Sequence, residues 1–278
     1  MEDDFLETLG IEKKEYGKKS GKYSPISSKR QMQTFSGKKR LLLDILIYGF
    51  ANCPAPMLPD FEAYKFLKKK MSRPDTSTIG AQFAAQILLH YVKKFKSSDI
   101  KKYLDIGCGS CHITEFLAEK LKISPCGSDL AVPFEQSWTA RSPKVKFETI
   151  SDKKLLGHSG KWDLITAVMV LHHIPRVDQT IEEVSKSLNP GGLFIIKEHD
   201  CFSYWEDALV DIEHSLYIVQ NNDKWEQKVL SQYIKCFNWI EWAYKMSRHG
   251  LQLVHYGPWG YMARSYGTTR KCIMVFKK

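Results

Sequence analysis

The chain has 278 residues, of which 43% are apolar, and a formal net charge of +10. This is the balance of a soluble globular protein, and no run of about 18 apolar residues occurs, which sets aside a helix spanning a membrane. Seven cysteines, an odd number scattered over the chain, speak against a disulfide framework. Together with an acidic start that lacks a signal-peptide core (Met1-Glu2-Asp3-Asp4-Phe5), they point to a reducing, cytoplasmic compartment.

Residues 1 to about 36 are rich in Lys, Ser and Gly and poor in apolar side chains, which predicts a partly disordered segment. Residues 41–50 form a short apolar stretch suited to a buried helix, and the three prolines at 54, 56 and 59 require a loop. Helical periodicity follows at 61–71 and 79–95. The expected division is a basic, partly helical extension over 1–78 and a catalytic domain over 79–278. Residues 1–102 hold 20 Lys+Arg against 11 Asp+Glu, whereas 103–278 hold 21 against 20. Nearly all the positive excess therefore precedes residue 103. A solvated helical surface explains any single cluster, such as Lys38-Lys39-Arg40 or Lys68-Lys69-Lys70. The asymmetry of the whole favours a patch for a polyanion, RNA above all.

From residue 101 the pattern alternates between strand and helix. Strands are predicted over 102–106, 125–129, 145–150, 162–168 and 192–197, with helices over 113–121 and 177–188. Asn189-Pro190-Gly191-Gly192 is expected to be the turn between the last helix and the fifth strand. Such alternation implies an α/β fold with a parallel sheet covered on both faces. A long aromatic-rich insertion, mostly helical, runs from Glu198 to about His249. Two final strands are expected over 250–256 and 271–276.

In an open parallel sheet, ligands bind beyond the carboxyl ends of the strands. Asp105, Gly107 and Gly109 end the first strand, and Asp129 ends the second. Asp152 follows the third strand, and Met169 to His173 follow the fourth. A dinucleotide fingerprint would place a third glycine at position 112, where His112 stands. Cys108 and Cys111 have C-x-x-C spacing, but neither a thioredoxin-like context nor a second ligand pair accompanies them.

Four landmarks in order, over roughly residues 79–278, resemble the class I S-adenosylmethionine-dependent methyltransferases, which are Rossmann-like. They are Leu104-Asp105-Ile106-Gly107-Cys108-Gly109, Gly127-Ser128-Asp129, Trp162-Asp163-Leu164-Ile165 through Val170-Leu171-His172-His173-Ile174, and Leu188-Asn189-Pro190-Gly191-Gly192. The resemblance implies a doubly wound, mostly parallel seven-stranded sheet with S-adenosyl-L-methionine as cofactor. By position, Gly107 and Gly109 would let the backbone approach the cofactor, and Asp105 would face its methionine ammonium group. Asp129 would hold the ribose, Asp152 would meet the adenine, and Met169 would line the site. Cys111 stands where many members of the family have a third glycine.

Methyl transfer is an in-line displacement that depends first on alignment, with a general base where an oxygen acceptor must lose its proton. His172 and His173 lie after the fourth strand and Lys197 ends the fifth, all on the expected active face. Lys197 resembles a lysine of the ribose 2′-O-methyltransferases, although Ala167-Val168-Met169-Val170 lacks the acid of their Lys-Asp-Lys-Glu set. Glu213 and His214 in the insertion are further candidates to face the acceptor. Tyr204, Trp205, Trp225, Trp239 and Trp242 are expected mainly in the core, and Arg264 and Arg270 at a rim. The sequence thus supports an RNA methyltransferase, the mRNA cap being one target. It also admits a methyltransferase for a small molecule or quinone-like lipid, and an inactive RNA-binding subunit of the same fold.

Overall fold

The computed structural model describes residues 77–96, 99–130, 142–151, 154–203, 206, 207, 210, 214, 234–259 and 270–278. Nearly all of the predicted 1–78 extension therefore lies outside the described residues. So do most of the insertion and the 260–269 loop. In chain order the elements are α1 (Ser77–Phe95), β1 (Tyr103–Ile106), α2 (His112–Leu121), β2 (Pro125–Asp129), β3 (Lys146–Thr149) and β4 (Trp162–Val168). There follow a 3₁₀ turn (Leu171–His173), α3 (Val177–Ser187), β5 (Leu188–His199), α4 (Trp239–Ser247), β6 (Gln252–Pro258) and β7 (Lys271–Lys277).

The strands form one seven-stranded sheet in the order β3-β2-β1-β4-β5-β7-β6. The first five pair in parallel, and β7 runs antiparallel to both β5 and β6. The chain leaves β1 toward one edge and returns at β4 on its other side. This creates a switch point in strand order at the carboxyl ends of β1 and β4, where an open sheet has its crevice.

Ala81, Ala84, Ala85, Leu88 and Val92 recur at three- and four-residue spacing, so α1 carries one apolar stripe. That stripe packs with Leu117 and Ala118 of α2 over Tyr103, Leu164, Leu193, Ile195, Ile273 and Val275 of the sheet. The alternate residues Leu104, Ile106, Ile165, Ala167, Phe194 and Ile196 are equally buried and, by strand alternation, face the other side. Val177, Ile181 and Val184 of α3, with Trp242 and Met246 of α4, complete that second layer. Both faces being covered, the central strands read as unbroken apolar runs. At the start of α4, Asn238 and Glu241 form a reciprocal capping box.

The sequence places β2 and β4 at their observed bounds. It errs at residues 189–192, where β5 already begins at Leu188, paired with Trp162. The Pro-Gly-Gly residues distort a strand that pairs on both sides: the register shifts between Trp162 and Leu164, and Gly191 takes φ +72°. The Gly191 N–H donates to the Lys278 carbonyl at 2.9 Å. Sheet pairing has overridden local turn chemistry.

Helix α2 ends on Lys122 in the left-handed region (φ 57°, ψ 45°), a conformation that favours glycine. Lys122 is exposed, so its side chain contributes little in return. Lys122→Gly is expected to raise stability by about 0.5–1 kcal/mol in urea denaturation and to leave activity unchanged.

Candidate functional site

The turn after β1 is held by backbone bonds from Gly107 N–H (2.7 Å) and Cys108 N–H (3.1 Å), both to the Ser128 carbonyl of β2. Gly107 adopts φ +69°, and a Cβ there would lie 2.2 Å from Val170 Cγ2. Gly109 also has positive φ, at 52°. The bare backbone that the sequence predicts at this turn is thus present. Its tightest neighbour comes from the segment after β4.

Asp105 lies beneath the turn, 3% exposed. Its carboxylate accepts hydrogen bonds from Thr114 Oγ1 of α2 (2.5 Å) and Thr166 Oγ1 of β4 (2.6 Å). Thr166 in turn bonds the Tyr103 hydroxyl at 2.9 Å. These bonds tie three elements together, so Asp105 positions the turn from below. The threonines were not singled out from sequence. Burial pushes the Asp105 carboxyl up to about 6 against the pull of both hydroxyls, and Asp129 adds a smaller push. Because the folded state then holds this proton more tightly than an unfolded aspartate does, stability falls as pH rises from about 4 to about 6. The loss from this group is up to about 3 kcal/mol. Urea midpoints across that window are expected to fall less steeply for Asp105→Asn than for the unaltered chain.

Asp129 stands at the carboxyl end of β2. Its Oδ2 accepts from Gly109 N–H and its Oδ1 from Leu130 N–H, each at 2.7 Å. A carboxylate accepts about four hydrogen bonds, so these two orient it without exhausting it. A half-exposed, pre-oriented acid beside a glycine turn fits the ribose of the expected cofactor. Asp129→Ala is expected to weaken S-adenosylmethionine binding about 10–100-fold by calorimetry, the worth of one or two charge-assisted bonds. Met169, after β4, holds φ 57° and donates its N–H to the Lys197 carbonyl at 2.8 Å. A left-handed methionine at the switch point is strained backbone of the kind that gathers at functional sites. Asp152 lies outside the described residues.

Cys111 caps α2 with φ 66°, and its sulfur lies 3.5 Å from that of Cys108. Both are buried thiols outside any disulfide. The hydrogen bond from Cys111, with burial, pushes the Cys108 thiol far above its ordinary range, which makes it a poor nucleophile.

Beyond the carboxyl ends of β4 and β5 the structure gathers residues that are distant in sequence. Glu198 of β5 is fully buried, and its Oε1 accepts from the N–H groups of Val170 (3.0 Å) and Leu171 (2.7 Å). Its Oε2 meets His172 Nδ1 at 2.5 Å. His172 Nε2 lies 3.1 Å from His214 Nε2, and the His214 Nδ1 bonds the Val210 carbonyl at 2.8 Å. The His173 ring stands 4.1 Å from that of His172 and 5.1 Å from that of His214. His199 joins them, its ring 4.9 Å from His172. Burial, reinforced by the neighbouring imidazoles and Lys271, keeps His199 well below its ordinary range and therefore neutral near pH 7.

The structure thus brings together His172, His173 and His214, which the sequence offers only as separate candidates. Glu198 and His199 were missed as site residues. Their signal was an acid and a histidine at the end of an apolar strand, where burial demands a partner. Lys197 departs from the group. Strand alternation turns it to the face opposite Glu198, and its Nζ lies 4.0 Å from the centre of the Trp259 ring. Glu213 lies outside the described residues, as do Tyr204, Trp205, Trp225 and Arg264. Trp242 is core, while Trp239 stacks on Tyr256 at 4.6 Å. Arg270 pairs with Glu206 at 2.8 Å.

Residues 78–256 match the family model of a methyltransferase domain. Among curated relatives, the ubiquinone biosynthesis O-methyltransferase of Hydrogenovibrio crunogenus is 30% identical over 37% of this chain and 45% of its own length. The enzyme of that name from Escherichia coli O9:H4 is 25% identical over 57% of this chain and 67% of its own length. In the first of these relatives the chain spans less than half of the protein. Among solved structures, a plantazolicin methyltransferase in complex with SAH aligns with TM-score 0.50 at 14% identity, covering 86% of this chain and 97% of that one. A methyltransferase in complex with the Haloferax volcanii Trm112 activator aligns with TM-score 0.51 at 14% identity, over 80% and 99% of the two chains. The glycine turn, the acid ending β2, the strand order and the match over 78–256 converge, and the chain belongs to the methyltransferase-domain family, with the fold of the class I S-adenosylmethionine-dependent methyltransferases.

Proposed function

We propose that the enzyme methylates a hydroxyl oxygen of a small molecule of the quinone-precursor class. The observation that carries this reading is the imidazole cluster at the carboxyl ends of β4 and β5, anchored through His172 on the buried Glu198. A phenolic hydroxyl holds its proton to about pH 10 and is a poor nucleophile until that proton is removed. S-adenosylmethionine, when bound, supplies the methyl group. Asp105 and Gly107 shape its turn, and Asp129 holds it from the rim. His172, with His173, His199 and His214 around it, draws the acceptor hydroxyl in and takes up its proton. The printed names of the curated relatives, O-methyltransferases of ubiquinone biosynthesis, agree with an oxygen acceptor. Lys197, turned away from Glu198 and held against Trp259, has no part in the proton transfer in this reading.

The second reading is RNA, the mRNA cap included, favoured by the excess of nine positive charges in residues 1–102. Incubation with tritiated S-adenosylmethionine and a panel of catechol-type phenols, capped RNA, uncapped RNA and protein separates the two. Label in the phenols alone is the expected result. Label in RNA, with binding that falls steeply with salt, would overturn the first reading in favour of the second. In either case the enzyme works free of any described membrane span, since no described helix is long and apolar enough to cross a bilayer.

A further inference from the structure

The histidine cluster has a tautomer conflict that neutral imidazoles cannot resolve. His214 Nδ1 faces the Val210 carbonyl, which only accepts, so Nδ1 carries the proton. His172 Nδ1 faces the carboxylate of Glu198, whose other oxygen already accepts two backbone N–H bonds. That nitrogen too carries its proton. Each neutral ring is left with its lone pair on Nε2, and the two Nε2 atoms face one another at 3.1 Å. Two lone pairs at that distance repel unless a cation lies between them. A ring nitrogen of His199 completes the set, and the three ligand atoms all lie within 4.8 Å of one another.

We propose that His172, His199 and His214 form a binding site for a divalent transition-metal ion of the zinc class. A tetrahedral zinc ion with bonds of about 2.0–2.1 Å sets its nitrogen ligands about 3.3 Å apart, close to the 3.1 Å of the His172 and His214 pair, and the His199 nitrogen would close in from within 4.8 Å. Three neutral imidazoles are a donor set that suits zinc, and they select against calcium and magnesium. The arrangement around them is that of a metal site: Glu198 holds the far nitrogen of His172 and Val210 the far nitrogen of His214, which fixes the ligating tautomers. Three protein ligands leave one tetrahedral position for water or an acceptor oxygen. The inference stands on the cluster alone and holds whether the acceptor is a phenol or RNA.

The test uses the full chain, stripped with a chelator and titrated with zinc against a chromophoric competitor. One zinc ion per chain, bound tightly, is expected. Replacement by cobalt(II) should give the intense visible bands of a tetrahedral site without thiolate charge-transfer absorption, which separates it from the Cys201, Asp207 and Cys236 group. His214→Ala and His199→Ala should each weaken zinc about 100-fold or more, with circular dichroism reporting that the variants fold. Should either variant fail to fold, the cobalt spectrum of the unaltered chain decides. Three results would each overturn the proposal: no bound zinc in the unaltered chain, thiolate bands in the cobalt form, or unchanged affinity in a folded variant. The first of these is also the signature of a proton shared between the rings in place of a metal. Because the readout is metal binding, it is independent of the acceptor panel.

Discussion

Gly107→Ala is expected to destabilise the fold by about 2–5 kcal/mol and to take cofactor binding below detection by calorimetry. Two costs add. A non-glycine residue at φ +69° pays about 1–2 kcal/mol for left-handed backbone. The new Cβ, 2.2 Å from Val170 Cγ2 and 2.6 Å from its Cβ, forces Val170 aside at an overpacking cost of about 1–3 kcal/mol. Val170 cannot move alone, because its N–H is bonded to Glu198, and Glu198 also orients His172. Strain at the cofactor turn therefore reaches the acceptor side, where a misplacement of about 1 Å costs roughly 100-fold in rate. The double variant Gly107→Ala/Val170→Ala separates the two costs. It should recover the packing part, about 1–3 kcal/mol in urea denaturation, and leave the backbone part. No recovery in the double variant would mean that Val170 is not the obstacle.

This coupling shows which parts of the site were legible in the sequence. The Asp105-to-Gly109 turn and Asp129 were readable because their roles are set within a few residues: a strand end, bare backbone, an acid one strand later. The parallel core was readable from its apolar runs, which is why β2 and β4 fall at their predicted bounds. The histidine cluster was only half readable. His172 and His214 are 42 residues apart and meet through β5. Lys197 is the sequence's candidate base on β5, yet strand parity favours its neighbour: one residue along, Glu198 faces inward and Lys197 faces Trp259. Residues 189–192 bulge between the pairs Trp162–Leu188 and Leu164–Leu193, and the bond from Gly191 to Lys278 keeps them in the strand where local chemistry alone predicts a separate turn.

The sharpest consequence of the Glu198 anchor is that Glu198→Gln should fold almost normally and fail almost completely. The glutamine carbonyl oxygen can still accept from Val170 and Leu171 N–H. Its amide nitrogen, a donor, then faces His172 Nδ1, so His172 must move its proton to Nε2. That N–H points at the His214 Nε2 lone pair 3.1 Å away and makes a good hydrogen bond. Only the second amide hydrogen is left over, and stability should fall by no more than about 1–3 kcal/mol. Function should not survive, because the Nε2 lone pair has gone. The two uses proposed for it, taking a proton from an acceptor hydroxyl when no metal is bound and ligating a metal ion when one is, exclude each other at any moment, and each requires that lone pair. The expected loss in kcat is about 100- to 10,000-fold, with KM for S-adenosylmethionine nearly unchanged because the cofactor turn is untouched. Zinc affinity should fall about 10–100-fold in the same variant. Glu198→Leu supplies the contrast: it strands two backbone N–H groups and His172 Nδ1 in the core, at about 1–3 kcal/mol each, and should lose stability and activity together. A Gln variant that kept full kcat would show that the proton position on His172 is irrelevant to the reaction, and the imidazole cluster would then serve the fold rather than the chemistry.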